Sequence, residues 1–207
     1  MYSQIHGNLT QTPSQTGVQP TAVANLYHGL EVQQITLGVS THLMSDLGLQ
    51  RITNRLADTL TRDVLVQTTV NNLRNSLQVD RVVLYYFYRE WEGRVTFESL
   101  SDRKFSIFGT TGPDECFNGE YAAMYEAGRV KAIPDIEIEP IQACHRDFLR
   151  NMQVRANLVV PILNSRRLWG LLVAHQCQDT RSWSSSDIET MQKGAKTLAT
   201  TPSIEGS

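Results

Sequence analysis

The spacing of apolar residues changes several times along the chain. Ile52, Leu56, Leu60 and Val64 recur at every fourth position, and Leu73 and Leu77 repeat that step. A four-residue step stays close to one helical turn, so it predicts helices carrying an apolar stripe. Gly48 divides this region into an expected helix over about 31–47 and a second over about 50–77. The rhythm then becomes strand-like. "VDRVVLYYFYREWEGRVTFESLS" reads as a β-hairpin, with Gly93 supplying the turn. "FGTTGPDECFNG" is a loop punctuated by Gly109, Gly112, Pro113 and Gly119.

Further on, "GEYAAMYEAGRV" predicts a short helix that stops at Gly128. "VKAIPDI" is a short strand ended by its proline, and residues 140–152 form a helix with Pro140 in its first turn. "RANLVVPIL" and "RRLWGLLVAHQC" are two strands around the turn "NSRR". Alternation places Trp169, Leu171, Val173, His175 and Cys177 on one inward face of the second strand. "SWSSSDIETMQKGAKTLA" opens with capping serines and carries Asp187 and Glu189 in the first turn of a last helix. Strands joined by hairpins imply an antiparallel sheet with helices gathered on one side, an α+β domain.

Composition limits what this domain can be. Residues 1–30 contain no Asp, Glu, Lys or Arg and show no apolar period, so they read as a disordered tail. An N-terminal helical extension over 31–59, a domain over 60–200 and a C-terminal tail over 201–207 complete the expected organisation. The 207 residues are 41% hydrophobic, which suits one full core. A net charge of −2 points to neither nucleic acid nor a membrane surface as partner. Three cysteines are too few and too odd in number for a disulfide-built secreted domain, and no apolar run reaches the roughly 20 residues that span a bilayer. The expectation is a soluble cytoplasmic chain.

The candidate chemistry lies in a few residues. Cys144 and His145 are neighbours about 100° apart on a helix, so both can border one cavity, and an imidazolium near a thiol favours the thiolate. A small packed core residue is the plainer reading of Cys144. Cys116 lies in the glycine-rich loop with Asp114 two positions before it. A Cys116–Cys144 disulfide is possible in principle but disfavoured in a reducing cytosol. His175 is either a hydrogen-bonded core histidine or a polar group lining an internal pocket, and Cys177 is a packing residue. Arg129, just past the Gly128 turn, is solvated or grips a carboxylate with two parallel hydrogen bonds. The cysteines and histidines lack the paired spacing of a zinc site, and no residue is evident to orient a Cys–His dyad.

Taken together, "CH" at 144–145, "VRANLVVPI", "LWGLLVAHQC" and "DECF" at 114–117 resemble the bilin-binding GAF domain of the phytochrome superfamily. The resemblance covers about residues 60–200. It falls in the cyanobacteriochrome branch, and "DECF" is similar to the Asp-x-Cys-Phe motif of the two-cysteine subfamily. It implies a GAF fold with a central antiparallel sheet. It also implies a photoreceptor that switches between blue- and green- or teal-absorbing states. The cofactor would be phycocyanobilin, its isomer phycoviolobilin, or both. Cys144 would hold ring A by a permanent thioether, and Cys116 would add reversibly at the central methine bridge. Asp114, Phe117, Arg129, His145 and His175 would contact the chromophore. No enzyme activity is implied beyond autocatalytic attachment and isomerisation of the bilin. The alternative is a GAF module for a diffusible ligand such as a cyclic nucleotide. The N-terminal helix could pair with its copy, although its pattern is not a sustained heptad.

Overall fold

The computed structural model describes residues 24–89, 92–112, 119–165 and 167–205, with side chains from residue 46 onward. The N-terminal helix α1 spans Ala24–Leu77 as one element. It starts inside the segment expected to be a tail, and it runs through Gly48, where a break was expected. A glycine weakens a helix by about 1 kcal/mol relative to alanine without forbidding it. Residues 1–23 lie outside the described residues.

The predicted stripe of α1 is helical but uncovered. Ile52, Leu56, Leu60 and Val64 are exposed, whereas Val66, Val70, Leu73 and Leu77 are buried. Periodicity reports which residues share a face; burial depends on whether another element meets that face.

The strands are β1 (Arg81–Arg89), β2 (Glu92–Leu100), β3 (Lys131–Ile133), β4 (Ala156–Leu163) and β5 (Leu168–Gln176). Among the described residues they form one antiparallel sheet in the order β2-β1-β5-β4-β3. β1 and β2 form the expected hairpin, but Gly93 lies inside β2 opposite Phe87 and does not make the turn. A Cβ at Gly93 would stand 2.5 Å from the Tyr86 carbonyl oxygen, so close packing explains this glycine.

Helix α2 spans Gly119–Glu126, α3 Ala143–Asn151, α4 Ser185–Ala199 and α5 Pro202–Glu205. α3 begins later than expected, with Gln142 as its N-cap and Pro140 outside it. The serine cap of α4 is present: Asp187 N donates to Ser184 Oγ, and Ser184 N donates to Asp187 Oδ2, each at 3.1 Å. The expected C-terminal tail instead contains α5, whose Ile204 is fully buried.

The two faces of the sheet carry different partners. Val82, Leu84, Leu158, Val160, Leu172 and Ala174 pack against α1 and α4 through Val70, Leu73, Met191 and Leu198. On the opposite face, Val83, Val95, Val159, Leu171 and Val173 gather with Tyr125 of α2. Helices therefore flank both faces and are not gathered on one side as expected, because two strands buried on both sides leave apolar surface in both directions. Trp169 departs from the expected alternation. Ile162 pairs with Gly170 and Leu163 with Leu168, so Trp169 is an extra residue that bulges towards the α1–α4 side.

Among the described residues, no helix is long and apolar enough to cross a membrane.

Gly170 separates a tight site from a permissive one. A Cβ there would lie 2.8 Å from the Tyr85 carbonyl oxygen, whereas one at Gly48 would meet nothing within 4 Å. Gly170→Ala should lower unfolding stability by about 1–3 kcal/mol. Gly48→Ala should leave it unchanged or raise it by up to about 1 kcal/mol. Urea midpoints of the two variants check both signs.

Candidate functional site

The face of the sheet away from α1 and α4 forms the floor of a cavity. Val83 and Tyr85 of β1, Val159 of β4, and Leu171 and Val173 of β5 supply its apolar surface. The walls come from Tyr121 and Tyr125 of α2, from His145, Phe148 and Leu149 of α3, and from Ile107, Thr110 and Gly112 of the loop after β2.

Tyr85 fixes that loop. Its hydroxyl donates to Gly93 O and accepts from Gly112 N, both at 2.8 Å. A Cβ at Gly112 would lie 2.6 Å from the same hydroxyl, which accounts for the glycine. The chain then enters residues 113–118. Asp114, Cys116 and Phe117 lie there, outside the described residues.

On the far wall, Gly128 adopts φ +88° and ends α2, as expected from sequence. That turn brings Arg129 to the cavity, with its Nη1 2.8 Å from Met124 Sδ and its guanidinium 5.9 Å from the centre of the Tyr121 ring. Lys131, two residues on, also lines the cavity and is ion-paired with Glu139. The sequence reading missed Lys131; its spacing from Arg129 on an incipient strand was the available signal.

Arg146 pins α3 to the preceding loop. Its Nε donates to Ile136 O and its Nη2 to Glu139 O, each at 2.8 Å. This sets His145 into the cavity wall, stacked against Phe148 at 6.5 Å. Burial, and then the Lys131 charge, pull the His145 pKa below its ordinary value. Cys144 is exposed, one residue from His145 and two from Gln142, both of which line the cavity. Its Sγ lies 3.7 Å from Gln142 Oε1, and Cys177 is a free cysteine among the described residues.

His175 fulfils both of its readings. It is 2% exposed, its Nδ1 accepts a 3.0 Å hydrogen bond from Arg81 Nε, and it lines the cavity. Burial, and then the Arg81 charge, push its pKa well below the ordinary value. Cys177 is half-buried, and burial raises its thiol to about 11, consistent with a packing role. Arg81 and Asn157, 0% and 3% exposed, are buried polar residues of the sheet that the sequence reading missed. Each sits at an inward position of a strand, where a polar side chain among apolar neighbours was the signal.

The two lowered histidines make stability depend on pH. Their folded pKa values lie below the unfolded one, so the unfolded chain takes up more protons as pH falls. The stabilisation is complete above about pH 6.5 and is lost as pH drops towards the folded values. Between about pH 7.5 and pH 5.5, stability should fall by up to ~1.4 kcal/mol in all for each histidine that stays neutral in the fold. His175→Gln should flatten that slope in urea titrations; an unchanged slope would contradict the assignment.

The model of the GAF domain family matches residues 61–201. An uncharacterized protein of Picosynechococcus is 53% identical over 124 residues, covering 60% of this chain and 76% of its own length. A putative methyl-accepting chemotaxis protein of Synechocystis is 39% identical over 114 residues, 55% of this chain but only 11% of that much longer protein. The crystal structure of the blue-light-absorbing form of the Thermosynechococcus elongatus PixJ GAF domain superposes with a TM-score of 0.65 at 33% identity. That match covers 70% of this chain and 86% of that one. A phycocyanobilin-bound GAF domain from a cyanobacterial phytochrome gives a TM-score of 0.64 at 28% identity, covering 76% and 92%. With its five-stranded antiparallel sheet flanked by helices, the chain belongs to the GAF domain family and is similar in structure to the PixJ cyanobacteriochrome domains.

Proposed function

We propose that the chain is a photosensory GAF domain that binds a linear tetrapyrrole covalently. The observation that carries this reading is the cavity itself. It has a broad apolar floor and few polar groups, and those polar groups match what a bilin offers. Arg129 provides a cation for one propionate, and Lys131, ion-paired with Glu139, adds a second basic group to the lining. Asn157 Oδ1 is a buried acceptor without a partner among the described residues, fit to receive an N–H. Tyr121, Tyr125, His145 and Phe148 supply aromatic surface for flat rings. The similarity to bilin-carrying GAF domains agrees with this chemistry.

When bound, the bilin supplies light absorption and photoisomerisation; the polypeptide holds and tunes it. Cys144 is the proposed site of the permanent thioether. Its S–H would add across an unsaturated side chain of ring A, sulfur to one carbon and the proton to its neighbour, and so hold the pigment. This addition requires Cys144 as the free thiol. Cys116 is the proposed second, reversible linkage, with Asp114 accepting from pyrrole N–H groups and Phe117 packing beside them. This two-cysteine arrangement underlies the proposed switch between blue- and green- or teal-absorbing states. Phycocyanobilin or phycoviolobilin is the proposed pigment. Attachment needs no separate enzyme in this reading. The exposed Leu56, Leu60 and Val64 of α1 are the surface on which pairing with a second copy would rest.

Protein made under reducing conditions in bilin-producing cells should keep its colour after denaturation and fluoresce with zinc. A colourless band would overturn this reading in favour of a GAF module for a diffusible ligand. Cys144→Ala should lose at least about nine-tenths of the denaturation-resistant pigment, because stable attachment depends on a single sulfur.

Cys116→Ala should retain the attached pigment but lose the blue-absorbing dark state, shifting absorption to longer wavelength. An unchanged dark spectrum would remove the second linkage while leaving the first in place.

A further inference from the structure

Arg81, His175 and Asn157 stand in one row across β1, β5 and β4. Arg81 is the register partner of His175, and His175 that of Asn157. The row lies on the cavity side, where His175 and Asn157 contribute to the lining. A cation, an imidazole and a carboxamide thus share a buried strip bordered by Val83, Val159 and Val173.

The guanidinium is held at three points. Nε donates to His175 Nδ1 at 3.0 Å, Nη2 donates to Met152 O at 3.0 Å, and Nη1 donates to Phe105 O. Both carbonyls lie outside the sheet, at the end of α3 and in the turn after β2, so Arg81 is oriented by elements other than its own. A guanidinium has only donors and stays charged in proteins. The nitrogen facing Nε must therefore be an acceptor, and the single proton of a neutral imidazole must sit on Nε2. A doubly protonated ring would set N–H against N–H and place two positive charges together in a dry site.

We propose that Arg81 is a positioning residue that holds His175 as the neutral Nε2–H tautomer, so that the cavity floor presents a hydrogen-bond donor beside the acceptor Asn157 Oδ1. His175 Nε2 makes no hydrogen bond to a described residue, and Asn157 Oδ1 is buried without one. The tautomer is a property of the polypeptide and does not depend on what fills the cavity.

Other charges near the row leave this arrangement intact. Asp80 before β1, Glu98 on β2 and Cys177 after β5 are the titratable groups felt at Arg81. Asp80 accepts from Gln176 Nε2 and Cys177 N, and Glu98 accepts from Ser106 Oγ and Ile107 N. The Cys177 thiol, raised to about 11, is neutral near pH 7. Across the cavity, Lys131 adds positive charge near His145, which also disfavours an imidazolium in this space.

Nitrogen-15 NMR of the reduced, bilin-free protein labelled at histidine tests the proposal. His175→Gln identifies the signals of His175 by their loss. The expected wild-type result is an unprotonated Nδ1 and a protonated Nε2, unchanged from about pH 8 to about pH 5.5. Protonation on Nδ1, or titration to the imidazolium within that range, would overturn the proposal. Arg81→Met removes donor and charge while keeping an unbranched side chain out to the position of Nε. It should shift the Nδ1 signal of His175 towards the protonated value through tautomer mixing or titration. Arg81→Gln places an amide N–H at the same distance along the side chain and should restore the Nε2–H form, a rescue that a purely packing role does not give. An unchanged His175 tautomer and titration in Arg81→Met would also overturn the proposal. If Arg81→Met does not fold, the wild-type and Arg81→Gln spectra decide alone. No pigment is needed, so a colourless protein in the bilin experiment leaves this result readable.

Discussion

The antiparallel pairing of β1 with β5 is the constraint on which the rest of the domain depends. It joins an N-terminal hairpin to a C-terminal one, with Arg81 opposite His175 at one end and Tyr86 opposite Gly170 at the other. Side chains alternate across a sheet, so this one register sends Val82, Leu84, Leu172 and Ala174 towards α1 and α4 and sends Val83, Val173 and His175 towards the cavity. A slip of one residue would exchange the two sets, burying Arg81 and His175 among the helices and opening the main core to the ligand side. The Trp169 bulge lies on β5 beyond this paired stretch, so it moves the indole to the helical side without disturbing that register.

The cavity follows from the same arrangement. Its floor is rigid sheet, whereas its walls are short elements tied down by individual polar contacts. Tyr85 holds the loop at Gly112, Arg146 holds α3, and the Gly128 turn places Arg129. The apolar floor cannot move without breaking the β-ladder, and each wall contact is only a few hydrogen bonds deep. A ligand that changes shape would therefore find its resistance in the floor and its freedom in the walls. That division is compatible with the proposed photosensory role, in which one part of the pocket would keep register while another adjusts.

Buried polar groups give the site its selectivity. Arg81, Asn157 and His175 would be costly in an apolar interior if left without partners. Arg81 meets that cost with three acceptors, and His175 with the Arg81 donor at Nδ1. Asn157 Oδ1 remains without a partner among the described residues, and its position in the lining turns that cost into a preference for a ligand donor.

Much of this was legible in the sequence. The five strands, the α2 stop at Gly128, the capping serines of α4 and the α+β class follow from local rules of period, glycine placement and capping, which depend on neighbours in the chain. The resemblance carried by "CH", "VRANLVVPI" and "LWGLLVAHQC" led to the correct family and to His145, His175 and Arg129 as cavity residues. Other features needed contacts between distant segments. Sequence period placed Ile52 to Val64 on one helix face, but only the positions of the other elements decided that this face stays exposed while Val66 to Leu77 are covered. It grouped Trp169 with His175, and the extra residue in the β4–β5 ladder separated them. It marked His175 as a histidine on an inward face, yet its partner lies on another strand, 94 positions away in the chain. Local sequence sets which conformations a segment prefers; the partner of a buried charge is chosen by the register of strands that meet only when the whole sheet closes.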